Sequence, residues 1–243
     1  MRKLDDSQVE SFDTEYAFGN RWDTVKSRID KDFPHGRFRF LDLGGGNGVF
    51  TDTVLETYPN SNGTLLDNSE KLLSRNRKNE RKKLVCASVE DLAALDGRFD
   101  VVFVHWLLHH LIGNSYVETR RNQLVTLANL AQYLTERGRI SVFENTCNGW
   151  LVDNLPGWLI FQISSAKAIA PITRRMGANT AGVGVCYLSK DQWLSTIQRS
   201  GLRVLEYTEP DTRHPRLRIE WRTLLHVRSL RVGHFWLSRA ASS

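Results

Sequence analysis

Little in this sequence points to an oxidising compartment or into a membrane. It holds three cysteines, Cys86, Cys147 and Cys186, odd in number and widely spaced. Such a set offers neither a disulfide framework nor zinc-ligand spacing, so we expect no metal and a reducing cytoplasm. No apolar run approaches the roughly 20 residues that a membrane-spanning helix needs. The first residues are charged and no apolar stretch follows, so no signal peptide is expected. Repeats and low-complexity tracts are absent. Two phosphate-binding signatures also fail. A Gly-x-Gly-x-x-Gly dinucleotide fingerprint starting at Gly44 would need glycine where Val49 stands, and no Gly-Lys-Ser/Thr follows.

The 243 residues have an ordinary soluble composition and suit one domain with a substantial core. The organising stretch is Arg37 to Phe50. Aromatic and aliphatic residues run up to Leu43 as a strand. Gly44, Gly46 and Gly48 then punctuate a turn, and Val49 to Tyr58 reads as a helix. Strand, glycine turn and helix open a nucleotide-binding α/β unit, because glycine lets the backbone approach a ligand closely. Gly63 to Asp67 forms a second strand. It ends in an acid about twenty residues past the turn, where such folds place a carboxylate on ribose hydroxyls. The alternative is a surface aspartate capping the helix that begins near Ser69.

Leu84 to Ala87 is a third strand and Phe99 to Val104 a fourth, apolar enough for the centre of a parallel sheet. The fourth runs into His105-Trp106-Leu107-Leu108-His109-His110-Leu111. A helix over 120–136, stopped by Gly138, precedes a fifth strand, Ile140 to Asn145. Ser189 to Ser200 is a last core helix. Leu202 to Tyr207 is a sixth strand, and a seventh lies within Val232 to Ser238.

Taken in order, these features resemble the class I S-adenosylmethionine-dependent methyltransferases. The segments that carry the resemblance are Leu41-Asp42-Leu43-Gly44-x-Gly46-x-Gly48, Asp67 after the second strand, the Phe99-Asp100 strand and Leu108-His109-His110-Leu111. The resemblance covers roughly 37–145 well and 186–240 loosely. It implies a seven-stranded, mostly parallel Rossmann-like sheet with helices on both faces and an antiparallel last strand. One domain would span 1–243: a helical cap (1–36), a cofactor-binding core (37–148), a helical lid insertion (149–185) and the C-terminal part of the sheet (186–243).

The implied cofactor is S-adenosylmethionine. Gly44, Gly46 and Gly48 would cradle its amino-acid end, with Asp42 supporting the ammonium. Asp67 would hold the ribose, and Asn68 would be a further cofactor contact beside it. Ser88 and Val89 would border the adenine, although relatives carry Asp where this chain has Ser88. His105 would be a further cofactor contact, where the methyl-transfer site should begin. His109 and His110 are candidate bases, since imidazole takes a proton near neutral pH. Adjacent residues point different ways, so at most one of the pair is expected to face substrate. Glu144, at the end of the fifth strand, would bind substrate or orient a histidine. Tyr16 of the cap, and Trp150 and Asn179 of the insertion, are candidate substrate contacts.

The expected reaction is methyl transfer to O, N or C of a small, partly apolar acceptor, because the insertion is rich in aromatic and aliphatic residues. The insertion can equally serve as core, as a dimer face or as a membrane-surface helix. Two alternatives stay open. The seven arginines between Arg213 and Arg239, against the single acid Glu220, suit an RNA or protein methyltransferase. The Ser88 departure suits a cofactor-binding scaffold that no longer methylates. The seven bases between Lys71 and Lys83 read as a solvated helix face.

Overall fold

The structure, a computed structural model, describes Arg2 and residues 18–175, 180–211 and 219–240. Its strands are β1 (Arg39–Leu43), β2 (Asn62–Asp67), β3 (Lys82–Cys86), β4 (Phe99–His105), β5 (Leu134–Gly149), β6 (Leu202–Thr208) and β7 (Val227–Arg239). Its helices are α1 (Asn20–Asp32), α2 (Val49–Thr57), α3 (Glu70–Leu73), α4 (Tyr116–Gln132), α5 (Leu155–Ser165), α6 (Ala170–Arg175), α7 (Lys190–Arg199) and α8 (Ile219–Leu224).

Among the described residues one seven-stranded sheet forms, in the order β3-β2-β1-β4-β5-β7-β6. Neighbours from β3 to β5 are parallel, and β7 runs antiparallel to β5 and β6. This is the expected Rossmann-like α/β sheet. Chain order reverses direction between β1 and β4, and the crevice beyond the strand ends at such a point is where ligands bind.

Alternation along the strands divides the core. Leu41, Val102, Val104 and Val142 pack with Leu127 and Leu130 of α4 and with Trp193 and Ile197 of α7. Phe40, Val101, Phe103 and Phe143 pack on the other face with Val25 and Ile29 of α1 and Val54 and Leu55 of α2. Asp32 ties α1 to the sheet, pairing with Arg139 and accepting from Trp236 Nε1 at 3.0 Å. Tyr16 lies outside the described residues.

Several local expectations shift. The helix expected to run to Glu136 ends at Gln132, and Gly138 lies inside β5. The strand edge begins early because Leu134 already pairs with Phe99, and the register slips before Val101 meets Arg139. The basic stretch from Lys71 is helical only through Leu73, then turns into β3. Within the insertion, Pro156 and Gly157 lie in the first turn of α5, where proline is tolerated.

Candidate functional site

The glycine turn is closed from three sides. Asp67 at the end of β2 accepts from Gly46 N at 3.0 Å and from Ser69 N at 2.8 Å. Asn76, which sequence reasoning passed over, donates to Gly46 O at 2.9 Å. Gly48 has φ +77°, and a Cβ there would lie 1.8 Å from Asn76 Oδ1. Beneath the turn, buried Asp42 accepts from Thr51 Oγ1 of α2 at 2.6 Å. A Cβ on Gly45 would sit 2.6 Å from its Oδ2. Burial pushes the Asp42 carboxyl up to about 7, with the Asp67 charge adding to the rise and the Thr51 hydrogen bond opposing it. Burial also raises Asp67, against the backbone N–H groups it accepts from.

A cleft opens beside this turn, beyond the carboxyl ends of β1 to β4. Gly44, Asp67 and Asn68 form one side, with Ser88, Val89 and Glu90 after β3 on another. Leu66, Leu107 and Leu111 supply apolar wall. Arg2 also lines it, donating from its backbone N to Ile112 O at 2.8 Å. Five of the expected cofactor residues therefore share one cleft: Gly44, Asp67, Asn68, Ser88 and Val89. Gly46 and Gly48 shape its turn and Asp42 lies below. Glu90, Leu107 and Leu111 were not anticipated; their position after strand ends was the available signal.

His105 lies elsewhere. It ends β4 on the α1–α2 face, its ring 4.7 Å from Phe50 and 5.0 Å from Phe143. Its Nε2 is 3.0 Å from Ser141 Oγ, which also meets His234 Nε2 at 2.9 Å. Burial lowers both imidazoles, His105 well below its usual range and His234 to about 3, so both are neutral at physiological pH. One hydroxyl between two Nε2 atoms requires opposite tautomers if it donates to one and accepts from the other.

The chain then turns through Trp106, a non-glycine residue at φ +51° that stacks on Phe143 at 5.1 Å. Left-handed backbone at such a residue marks a strained, over-determined turn. The turn delivers Leu107 to the cleft wall and His109 to Glu144. Glu144 is fully buried; Oε1 accepts from Leu108 N at 2.8 Å, and Oε2 meets His109 Nδ1 at 2.7 Å. His109 is 3% exposed and its ring lies 5.1 Å from Tyr187. His110, 4.0 Å from His109 ring to ring, is held well below the usual imidazole range by burial and by its neighbour. Trp150 is 58% exposed and does not line the cleft; Asn179, like Tyr16, lies outside the described residues.

The cleft's chemistry fits the expected group. Leucine and valine walls can enclose a flat purine, while Asp67 and Glu90 offer acceptors for hydroxyl and amino donors. A family model described as "Methyltransferase domain" matches residues 41–142. Residues 41–142 thus match a methyltransferase domain, and the cleft beside them fits the S-adenosylmethionine that the sequence resemblance implies.

Solved structures share the fold. The mitomycin 7-O-methyltransferase MmcR matches with a TM-score of 0.54 and 18% identity, over 91% of this chain and 56% of that one. The pyocyanin biosynthetic protein PhzM gives 0.57 and 17%, over 98% and 62%. The plantazolicin methyltransferase BpumL, solved with a triazolic desmethylPZN analog and SAH, gives 0.61 and 14%, over 96% and 89%. The chain thus spans less than two thirds of the length of MmcR and PhzM. A search of curated proteins returned no match to the sequence.

Proposed function

We propose that the protein methylates O, N or C of a small, partly apolar organic acceptor, with His109 as base and Glu144 as its positioning partner. The observation that carries this reading is the buried His109–Glu144 pair on the turn whose Leu107 and Leu111 wall the cofactor cleft. When bound, the cofactor supplies an electrophilic methyl group on a sulfonium. The protein's work is then to align the acceptor, keep the site dry and take a proton where the acceptor must lose one.

The Glu144 carboxylate favours the tautomer with the proton on His109 Nδ1, which leaves Nε2 to accept one. His110 is the poorer base, because its surroundings disfavour the imidazolium. Asp67 and Asn68 bind the ribose, Ser88 and Val89 border the adenine, and Asp42 with Gly44, Gly46 and Gly48 shapes the amino-acid end. Relatives of the same fold, named for mitomycin, pyocyanin and plantazolicin, support a small-molecule acceptor. So does the aromatic insertion at the end of β5.

The test is calorimetric titration with S-adenosylhomocysteine, followed by transfer of a labelled methyl group across a panel of apolar phenols, amines and acids. Micromolar binding and label in a small acceptor are expected. Binding without turnover on that panel, with label entering RNA or protein, would overturn the acceptor class.

A further inference from the structure

Helix α1 is tied to the sheet by ion pairs along its length. Arg28 and Lys31 pair with Glu206 of β6, and Asp32 pairs with Arg139 of β5. Arg21, in the first turn, reaches further. Its Nε donates to Asp211 Oδ1 at 2.9 Å and to Oδ2 at 3.1 Å, and its Nη2 donates to Oδ2 at 2.7 Å. Asp211 stands just past β6. The Arg21 guanidinium also lies over the Trp106 ring, 4.8 Å from its centre. Two-pronged pairing with a carboxylate fixes the guanidinium plane, which a single contact would not.

Trp106 is the residue with left-handed backbone after β4. Such a conformation persists only where its surroundings enforce it. From β5, Phe143 O accepts from Trp106 N at 2.8 Å, and the Phe143 ring stacks on the indole with the planes 4° apart. Arg21 adds a contact from outside the sheet. The next residue, Leu107, already packs on the glycine turn, since a Cβ on Gly44 would lie 3.1 Å from Leu107 Cδ1. Asp211, Arg21, Trp106, Leu107 and Gly44 therefore form one unbroken line of contact, from the segment past β6 to the cleft.

We propose that Arg21 is a positioning residue for the cofactor cleft: pinned by Asp211, it fixes the Trp106 turn and with it the Leu107 wall. The proposal rests on reading that cleft as the S-adenosylmethionine site. Arg21 is not among the residues that line the cleft, so its effect passes through Trp106. Lysine is a poor substitute, because an ammonium on a flexible stem offers neither two parallel hydrogen bonds nor a plane to lay on the indole.

The test is hydrogen–deuterium exchange of the full chain, read by mass spectrometry over residues 106–112, beside calorimetric titration with S-adenosylhomocysteine. Arg21→Ala should exchange faster over that stretch and bind S-adenosylhomocysteine about fivefold more weakly or worse, the scale of a lost cation–aromatic contact. Arg21→Lys should fall between it and wild type. Asp211→Asn, which takes the charged anchor from the guanidinium, should move both readouts the same way, and it carries the test if Arg21→Ala does not fold. Lys31→Ala breaks a neighbouring α1 ion pair and should leave both readouts at wild-type values. Unchanged exchange over 106–112 in Arg21→Ala would overturn the proposal. Faster exchange with unchanged affinity would also overturn it, since Arg21 would then be a structural tie and no more. Equal changes in Lys31→Ala would do the same, by showing a general loosening of α1. A wild-type chain that binds no S-adenosylhomocysteine would overturn the cofactor reading, and this proposal with it.

Discussion

His109 Nδ1 lies 2.7 Å from Glu144 Oε2, while Glu144 Oε1 accepts from the backbone of Leu108 at 2.8 Å. One carboxylate therefore holds both the imidazole and the turn that carries it. Replacing Glu144 by Gln keeps an acceptor for the backbone N–H but removes the charge that steadies an imidazolium. We predict that His109→Ala lowers kcat by about 10²–10⁴-fold on an acceptor that must lose a proton, the usual range for general-base catalysis. Glu144→Gln should lower it less, and in both variants cofactor affinity should hold. Single-turnover methyl transfer beside calorimetry separates the two effects. An unchanged kcat in His109→Ala would leave alignment as the protein's whole contribution.

Gly48 supports a prediction about the turn itself. At φ +77° any side chain is strained, and here a Cβ would also overlap Asn76 Oδ1. Gly48→Ala should cost about 1–3 kcal/mol of stability from the backbone conformation alone, measured by urea unfolding. Shortening Asn76 to Ala in the same protein should relieve the overlap but not the backbone strain. A double variant as stable as wild type would show the turn to be more adaptable than its geometry implies.

Asp67 ties the turn to the cleft. Its two oxygens accept from Gly46 N and Ser69 N, so the carboxylate shapes the loop before any ligand arrives. Asp67→Ala should weaken S-adenosylhomocysteine binding by more than about tenfold, the equivalent of 1.4 kcal/mol. Asp67→Asn, which keeps one acceptor oxygen, should fall between. Calorimetric titration of the three proteins checks the order. Equal affinities would remove Asp67 from the ribose site.

The parts of this molecule that were legible in the sequence are those that local chemistry dictates. Gly44 to Gly48 announce a turn because few other residues fit such backbone, and Asp67 is found by its distance from that turn. The nearly unbroken apolar run of β4 reveals its burial on both faces. Glu144 was readable as a polar residue of the fifth strand, although β5 runs on to Gly149 instead of ending beside it, and the histidine it meets depends on the Trp106 turn, which no periodicity signals. Asn76 could not be found at all, since it reaches Gly46 only after α3 stops at Leu73. His105 misleads for a similar reason: nearness in sequence to the cleft says nothing about which face of β4 it takes. The early end of α4 reflects strand pairing at Leu134, a tertiary demand that helix propensity cannot express.

The thiols offer a direct check of burial. Cys147 and Cys186 are buried and each is pushed up to about 12, mainly by desolvation, so neither supplies thiolate at pH 8. Cys86 is exposed at the end of β3. A disulfide reagent should label one thiol per native chain at pH 8 and three in denaturant. Rapid labelling of a second thiol in the native protein would place the β5 end or the segment before α7 in solvent.

Asp42 gives the pH dependence a sign. Its folded value of about 7 lies above the ordinary 3.8, so between those values the folded chain holds a proton that the unfolded chain has released. Stability then falls as pH rises through this window, because the unfolded state binds fewer protons there. The loss is fully developed above pH 7 and absent below about pH 4. Three units at 1.36 kcal/mol each set its scale at about 4 kcal/mol. Asp42→Asn keeps the shape and an acceptor for Thr51 but cannot ionise. Urea unfolding at intervals from pH 5 to pH 8 should show wild-type stability declining more steeply than that of the variant, so that the two curves converge or cross toward the alkaline end. Parallel curves would mean that Asp42 ionises as readily folded as unfolded, and that the space beneath Gly45 admits water enough to solvate it.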